Sequence, residues 1–273
     1  MPELPEVETT RRGIEPHLLG QQIDRFIVRQ PKLRWPVSSE LQQLEGVVID
    51  AIQRRGKYLL LETTQGTALL HLGMSGSLRI CAAELAAEKH DHVDLVLANG
   101  KALRLRDPRR FGAVLWAGCG ELHPLLAHLG VEPLTDDLTA EYLLKRAANR
   151  QVSIKEFIMN SHVVVGVGNI YANEALFMAG IHPRRASGQV QLLELQKLVV
   201  AIKAVLTRAI IQGGTTLRDF VREDGQTGYF QIELQVYGRT HQTCNACGSL
   251  IQQIRQGQRS SWYCPHCQPE DKV

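Results

Sequence analysis

The sequence predicts an α+β protein in three parts: an N-terminal β-sandwich with flanking helices, a helical middle, and a small cysteine-rich module at the C-terminus. Three observations carry this. Eight short runs rich in Val, Ile and Leu, at 22–29, 46–53, 57–63, 67–72, 77–81, 92–98, 101–106 and 112–116, follow one another closely. That is the strand density of two packed antiparallel sheets. From 135 to 216 the apolar residues recur at helical spacing instead. Beyond 235, two Cys-x-x-Cys pairs stand sixteen residues apart, in a segment too short to bury a core of its own.

The first element is read from residues 5–18. Pro5 suits the opening turn of a helix, where its missing N–H costs nothing. Val7, Ile14 and Leu18 fall on one side, and Gly20 is a natural stop. Turn residues at Gln65-Gly66 and Asn99-Gly100 separate neighbouring strand runs. A helical stretch is expected around 120–129, closed by Gly130 and Pro133. Thr139 can cap a helix to about 148, and Ser153–Ser161 reads as another. Gly166-Val167-Gly168-Asn169 breaks the pattern before a helix through Met178, which Gly180 ends. The longest amphipathic segment, about 188–212, carries an apolar stripe from Leu195 to Ile210. Residues 219–232, with Asp224-Gly225 and Gly228, read as a loop. The expected domains are 1–134, 135–228 and 235–269.

The 273 residues are 44% hydrophobic, which allows a real core, and only 5% aromatic, so each exposed ring is informative. The net charge of +3 is modest, but arginine clusters at Arg54-Arg55, Arg109-Arg110 and Arg184-Arg185. Local basic patches count for more than net charge when the partner is a phosphate backbone, although arginine pairs are also ordinary solvated surface. The first twenty residues carry several charges and no apolar segment, so no signal peptide is expected in them. No run approaches the ~18 apolar residues of a membrane span. A cytoplasmic, nucleoid-associated protein is expected. In a reducing compartment its six cysteines argue for metal ligands over disulfides.

The strongest motif is Cys244-x-x-Cys247 with Cys264-x-x-Cys267. Four thiolates suit one tetrahedral Zn²⁺ and leave no open position, so the site is structural. Metal binding worth about 10–16 kcal/mol can fold a segment that lacks a core. Cys81 and Cys119 stand alone and read as packing residues. Between the pairs, Arg255-Gln-Gly-Gln-Arg259 places a Gly-bearing turn before Arg259, which can reach phosphate or simply be solvated.

Asp107-Pro108-Arg109-Arg110-Phe111-Gly112 offers a Phe that can wedge between bases and an Arg that can bond a base edge. Phe111 equally suits a strand start in the core. Met74, between Gly73 and Ser75-Gly76, poses the same choice between wedge and packing. Asn169 at a helix start is a phosphate donor or only a cap. Lys57 is a phosphate contact or a surface lysine. His90-Asp91-His92 lacks a nearby third ligand, and His90 suits a phosphate contact better than a metal.

The N-terminus reads two ways. Pro2 and Pro5 can stiffen a helix start whose dipole the glutamates favour. If Met1 is removed, however, Pro2 presents a secondary amine able to form an iminium, with Glu3 beside it as a proton carrier.

Taken together, Met-Pro-Glu-Leu-Pro-Glu-Val-Glu, the Asp107-to-Gly112 loop, Gly166-Val-Gly-Asn-Ile-Tyr171 and the four-cysteine module resemble the formamidopyrimidine-DNA glycosylase family over essentially the whole chain. The endonuclease VIII group is similar at the N-terminus and helix–two-turn–helix, but Leu4 and Arg109-Arg110-Phe111 resemble the formamidopyrimidine branch. The resemblance implies a base-excision repair glycosylase for 8-oxoguanine and formamidopyrimidines, with abasic-site lyase activity by β,δ-elimination. It implies a monomer acting on double-stranded DNA that holds oxidised or abasic lesions. It assigns Pro2 as nucleophile, Glu3 as acid, and Lys57 and Arg259 to strand cleavage. Met74, Arg109 and Phe111 would fill the emptied stack. His90, Arg150 and Asn169 would hold phosphate, with Lys155 near the lesion; Arg150 stands where many relatives have Lys. The 219–232 loop resembles the one that closes over an extruded base. Specificity for oxidised pyrimidines and a non-catalytic zinc-containing DNA-binding protein are the alternatives.

Overall fold

The computed structural model describes residues 2–213 and 234–270. The loop expected at 219–232 lies outside them. Of the described residues, those up to His128 form one compact unit; Leu129–Ile211 and the residues from Leu234 onward form a second.

The first unit opens with helix α1 (Leu4–Leu18). Pro5 lies in its first turn, and the Glu6 carboxylate accepts the Glu3 N–H at 2.8 Å, closing a capping box. Leu4, Val7, Ile14 and Leu18 are all buried. At about 1.5–3 kcal/mol each, they fix the helix, and with it residues 2 and 3, against the sheets.

All eight expected strands form: β1 (Ile23–Val28), β2 (Ile49–Arg55), β3 (Tyr58–Thr63), β4 (Gly66–His71), β5 (Ser77–Ala82), β6 (Asp91–Leu97), β7 (Lys101–Arg106) and β8 (Ala113–Gly118). They make two four-stranded antiparallel sheets, ordered β1-β6-β7-β5 and β2-β3-β4-β8. Ile23, Leu95 and Leu105 of one sheet share a core with Ile52, Leu61 and Leu70 of the other and with Ile14 of α1. The alternation of β3, with Leu59 and Leu61 buried and Leu60 half-buried, is that of a sheet with one dry face. One ion-pair network is also buried. Arg104 is bonded to Asp94 at 2.8 Å, and Arg29 reaches the same carboxylate at 2.7 Å. Burial by itself would raise the Asp94 carboxyl, but the two guanidiniums hold it below its ordinary value.

Of the helix expected at 120–129, only α2 (Pro124–Ala127) forms. The His123 ring accepts the Leu125 N–H at 3.2 Å and Pro124 fixes the first position, so the helix cannot start earlier; the backbone leaves helical geometry at His128.

In the second unit, Thr139 caps α3 (Ala140–Ala147) by accepting the Tyr142 N–H at 3.0 Å. Ser153 caps α4 (Ile154–Met159) in the same way. Helix α5 (Asn169–Ala179) ends at Gly180, whose φ of 69° is the left-handed turn a helix stop needs. Helix α6 (Leu192–Ile211) starts later than its periodicity suggests, because the Glu194 carboxylate caps the chain at the Gln191 N–H (3.0 Å) after a 3-10 turn at Ser187–Gln189. A hairpin of β9 (Gln252–Gln256) and β10 (Arg259–Tyr263) completes this unit. Its core is only Val236, Cys244, Ile251 and Cys264, so helices and metal ligands must hold it.

Candidate nucleic-acid interface and active site

Pro2 and Glu3 are both buried at the N-terminal end of α1. The helix dipole makes that end favourable to anions. Lys57 follows Gly56 in the tight β2–β3 connection, where Arg55 pairs with Tyr58. Its charge falls on His71, whose ring packs at a tilt against Tyr58, with centres 4.8 Å apart. Burial, then Lys57 and Arg34, push the His71 pKa down to about 4. His71 is therefore neutral at pH 7, and its Nδ1 accepts the Gly73 N–H at 3.0 Å.

Gly73 begins the loop that carries Met74, and that loop is built against the one carrying Arg109 and Phe111. A Cβ on Gly73 would lie 2.3 Å from the Phe111 carbonyl carbon, so only glycine permits the approach. Ser75 Oγ donates to Asp107 Oδ1 at 2.8 Å and accepts the Arg109 N–H at 3.2 Å. Asp107 Oδ2 accepts the Gly112 N–H at 2.7 Å. On this frame Met74 is 36% and Phe111 41% exposed, which excludes the core reading of Phe111. The Arg109 guanidinium lies 5.0 Å from the Phe111 ring centre, a cation–π contact. An apolar pair and a cation thus stand outward on one rigid base.

His90 adjoins that base. Its backbone is left-handed, with φ at 77°, and its carbonyl accepts the Asp107 N–H at 3.0 Å. His92 Nε2 donates to the Asp107 carbonyl at 2.9 Å. The His90-Asp91-His92 run is thereby accounted for without a metal.

In the second unit, Lys155 and Asn169 converge on one atom, the Ser260 carbonyl beside Arg259. The Lys155 ammonium donates to it at 2.8 Å and to Ser261 Oγ at 2.6 Å; Asn169 Nδ2 donates at 3.2 Å. Asn173 Oδ1 accepts the Trp262 N–H at 2.8 Å. Lys155 is 1% exposed, and these two bonds hold it to the hairpin. Arg259 itself is exposed beside the Gly257-Gln258 turn. Arg150 is exposed too, with its guanidinium 5.8 Å from the Phe157 ring centre.

The four sulfurs of Cys244, Cys247, Cys264 and Cys267 lie within 4.8 Å of one another. Zn–S bonds of ~2.3 Å in a tetrahedron require sulfurs ~3.8 Å apart; Cys244–Cys267 are at 3.9 Å and Cys247–Cys264 at 3.4 Å. The set fits one structural zinc, and it is the one such cluster among the described residues.

Two supporting residues escaped the sequence reading. Asp107 was visible only as the first residue of its motif, an Asp of the kind that bonds nearby backbone N–H groups in turns. Glu174 gave none. It is buried in α5 and accepts three successive N–H groups, of Gln235 (2.8 Å), Val236 (3.0 Å) and Tyr237 (2.9 Å). Burial raises its pKa against the pull of those amides.

Comparison with known proteins agrees with this architecture. Residues 1–114 match the formamidopyrimidine-DNA glycosylase N-terminal domain, 129–221 the formamidopyrimidine-DNA glycosylase H2TH domain, and 242–269 a zinc finger found in FPG and IleRS. The chain is 59% identical over 270 residues to the formamidopyrimidine-DNA glycosylase of Thioalkalivibrio sulfidiphilus, covering 98% of this chain and 100% of that one. It is similar to Lactococcus lactis Fpg solved with abasic-site DNA, at 34% identity and a TM-score of 0.90 over 98% of this chain and all of that one. The wild-type Lactococcus protein with DNA containing N7-benzyl-Fapy-dG gives a TM-score of 0.89 at the same identity and coverage. The likeness to these proteins runs from end to end of the chain, and the chain belongs to the formamidopyrimidine-DNA glycosylase family.

Proposed function

We propose that this chain excises oxidised purines, 8-oxoguanine and formamidopyrimidines, from duplex DNA and then cleaves the abasic strand through a Schiff base on Pro2. The observation that carries the reading is the outward cluster of Met74, Arg109 and Phe111 on its locked base. Apolar groups and a guanidinium held rigidly toward solvent suit a gap in a base stack, and the flipping that opens such a gap costs a few kcal/mol. The similar Lactococcus Fpg is solved in complex with abasic-site DNA and with DNA containing N7-benzyl-Fapy-dG, which supports this reading.

Removal of Met1 turns the Pro2 nitrogen into an α-amino group, a class that ordinarily titrates at ~7.7–8.0, so that about a tenth is neutral at pH 7. Its lone pair attacks C1′ of the extruded nucleotide. The glycosidic bond breaks and its electrons leave with the base, which takes up a proton. Glu3 delivers a proton to the ring oxygen as the sugar opens to the iminium. Loss of a C2′ proton then expels the 3′ phosphate, and a second elimination expels the 5′ phosphate. Lys57 and Arg259 serve these two steps, while His90, Arg150 and Asn169 hold phosphates. Water releases Pro2. No step needs the zinc, whose role is to fold the hairpin that presents Arg259.

The test is borohydride trapping on an 8-oxoguanine duplex, read by intact mass. A covalent adduct on Pro2, on a chain lacking Met1, is expected. Glu3→Gln should lower excision by ~10²–10⁴-fold, the usual contribution of an acid–base group, with DNA binding kept. Binding without any adduct would instead make the protein a non-catalytic binder, and preference for thymine glycol would make it an oxidised-pyrimidine enzyme.

A further inference from the structure

We infer that Asp107 is a positioning residue that makes Met74, His90, Arg109 and Phe111 act as one rigid unit. The inference rests on the reading above, that these side chains work on the DNA duplex.

Asp107 is fully buried, yet no arginine or lysine pairs with it in the described contacts. Its side chain and backbone are instead spent on the elements that carry the cluster. Oδ1 accepts from Ser75, next to Met74; Oδ2 accepts from Gly112, next to Phe111. Its N–H donates to the His90 carbonyl at 3.0 Å, and its own carbonyl accepts from the Arg110 N–H (3.2 Å) and His92 Nε2 (2.9 Å). Ser75 Oγ, oriented by Asp107, in turn accepts the Arg109 N–H. Five contacts thus radiate from one residue to three separate stretches of chain, at 75, 90–92 and 110–112. A carboxylate is suited to this because it only accepts, and each of its oxygens meets a donor fixed in place.

A wedge works only if it does not yield. Replacing a base in the stack requires Phe111 and Met74 to withstand the pressure of closing base pairs. Loops that moved independently would give that pressure an outlet. The Asp107 carboxylate ties the two loops together, and Gly73, at van der Waals limit against Phe111, seats them.

The experiment compares two substrates. The first is an 8-oxoguanine duplex under single-turnover conditions, where a stack must be filled. The second is a single-stranded oligonucleotide with a preformed abasic site, where none exists, read by borohydride trapping. Asp107→Ala should lower excision from the duplex by roughly 30-fold or more, the effect of two lost bonds to a buried acceptor, and keep single-stranded trapping. Ser75→Ala should show the same pattern more weakly. Asp107→Asn, which keeps one acceptor oxygen for Gly112 and an amide that can donate to Ser75, should recover most of the duplex activity. Equal losses on both substrates, or an Asp107→Ala protein that excises from duplex at the parental rate, would overturn the inference. A parental protein that forms no borohydride adduct on either substrate would instead sink the proposed chemistry.

Discussion

Replacing Gly73 with Ala tests the geometry of the Met74 loop directly. The added Cβ would sit 2.3, 2.4 and 2.6 Å from the Phe111 carbonyl carbon, the Phe111 carbonyl oxygen and the Gly112 nitrogen. All three are backbone atoms, so no rotamer change relieves the contact. Ordinary contact begins near 3.4 Å, so the loops must part by about 1 Å. The φ of +62° adds a left-handed penalty of about 1–2 kcal/mol, and the overpacking about 1–3 kcal/mol more. The expected loss of stability is therefore about 2–5 kcal/mol by urea unfolding. Parting the loops stretches the Ser75–Asp107 bond, and a 1 Å misplacement costs on the order of 10²-fold in rate, read by single-turnover excision of 8-oxoguanine. Gly100→Ala is the control. Its φ is +79°, but nothing lies within 4 Å of its Cβ, so it carries the backbone penalty alone. If Gly73→Ala is no less stable than Gly100→Ala and excises at the parental rate, the close approach of the two loops has no role in function.

Two further outcomes follow from the same structure. His71 is buried and neutral, with its pKa near 4 against an ordinary 6.5, so the unfolded chain binds the proton more tightly. Its contribution is complete above pH 6.5 and is lost as pH falls toward 4, about 3 kcal/mol in all. Denaturant unfolding at pH 7.5 and 4.5 should show the parental protein losing more than His71→Gln; equal losses would refute the assignment. For the metal, mass spectrometry under native conditions should find one zinc per chain. Stripping it with a strong chelator should unfold the hairpin, shift the Trp262 fluorescence and abolish strand cleavage until zinc is returned. A stripped protein with unchanged Trp262 emission and cleavage would show that the four thiolates do not stabilise the fold.

The sequence by itself determined the elements. Strand positions followed from apolar runs and their turns, because β3 and its neighbours bury one face and must alternate. Helix ends followed from Thr139, Ser153 and Gly180, whose capping is local chemistry. The zinc ligands followed from spacing, since two short turns can meet one ion wherever the chain lies. Where local signals were weak the extent was overestimated, as at α2, or shifted, as at the start of α6, where Glu194 caps a turn that periodicity cannot see.

What only the tertiary structure decided is which of several readings each functional side chain takes. Phe111 could equally have entered the core; it stands outward because Asp107 and Gly73 close its loop against another that begins some thirty-five residues earlier in the chain. Lys155 carries the same charge wherever it lies, but only folding buries it against Ser260 and Ser261, next to Arg259. Glu174 has no motif at all, since three backbone amides can be brought to one carboxylate only by folding. Such contacts join residues far apart in the chain through groups that every sequence possesses, and so leave no pattern in the sequence to read.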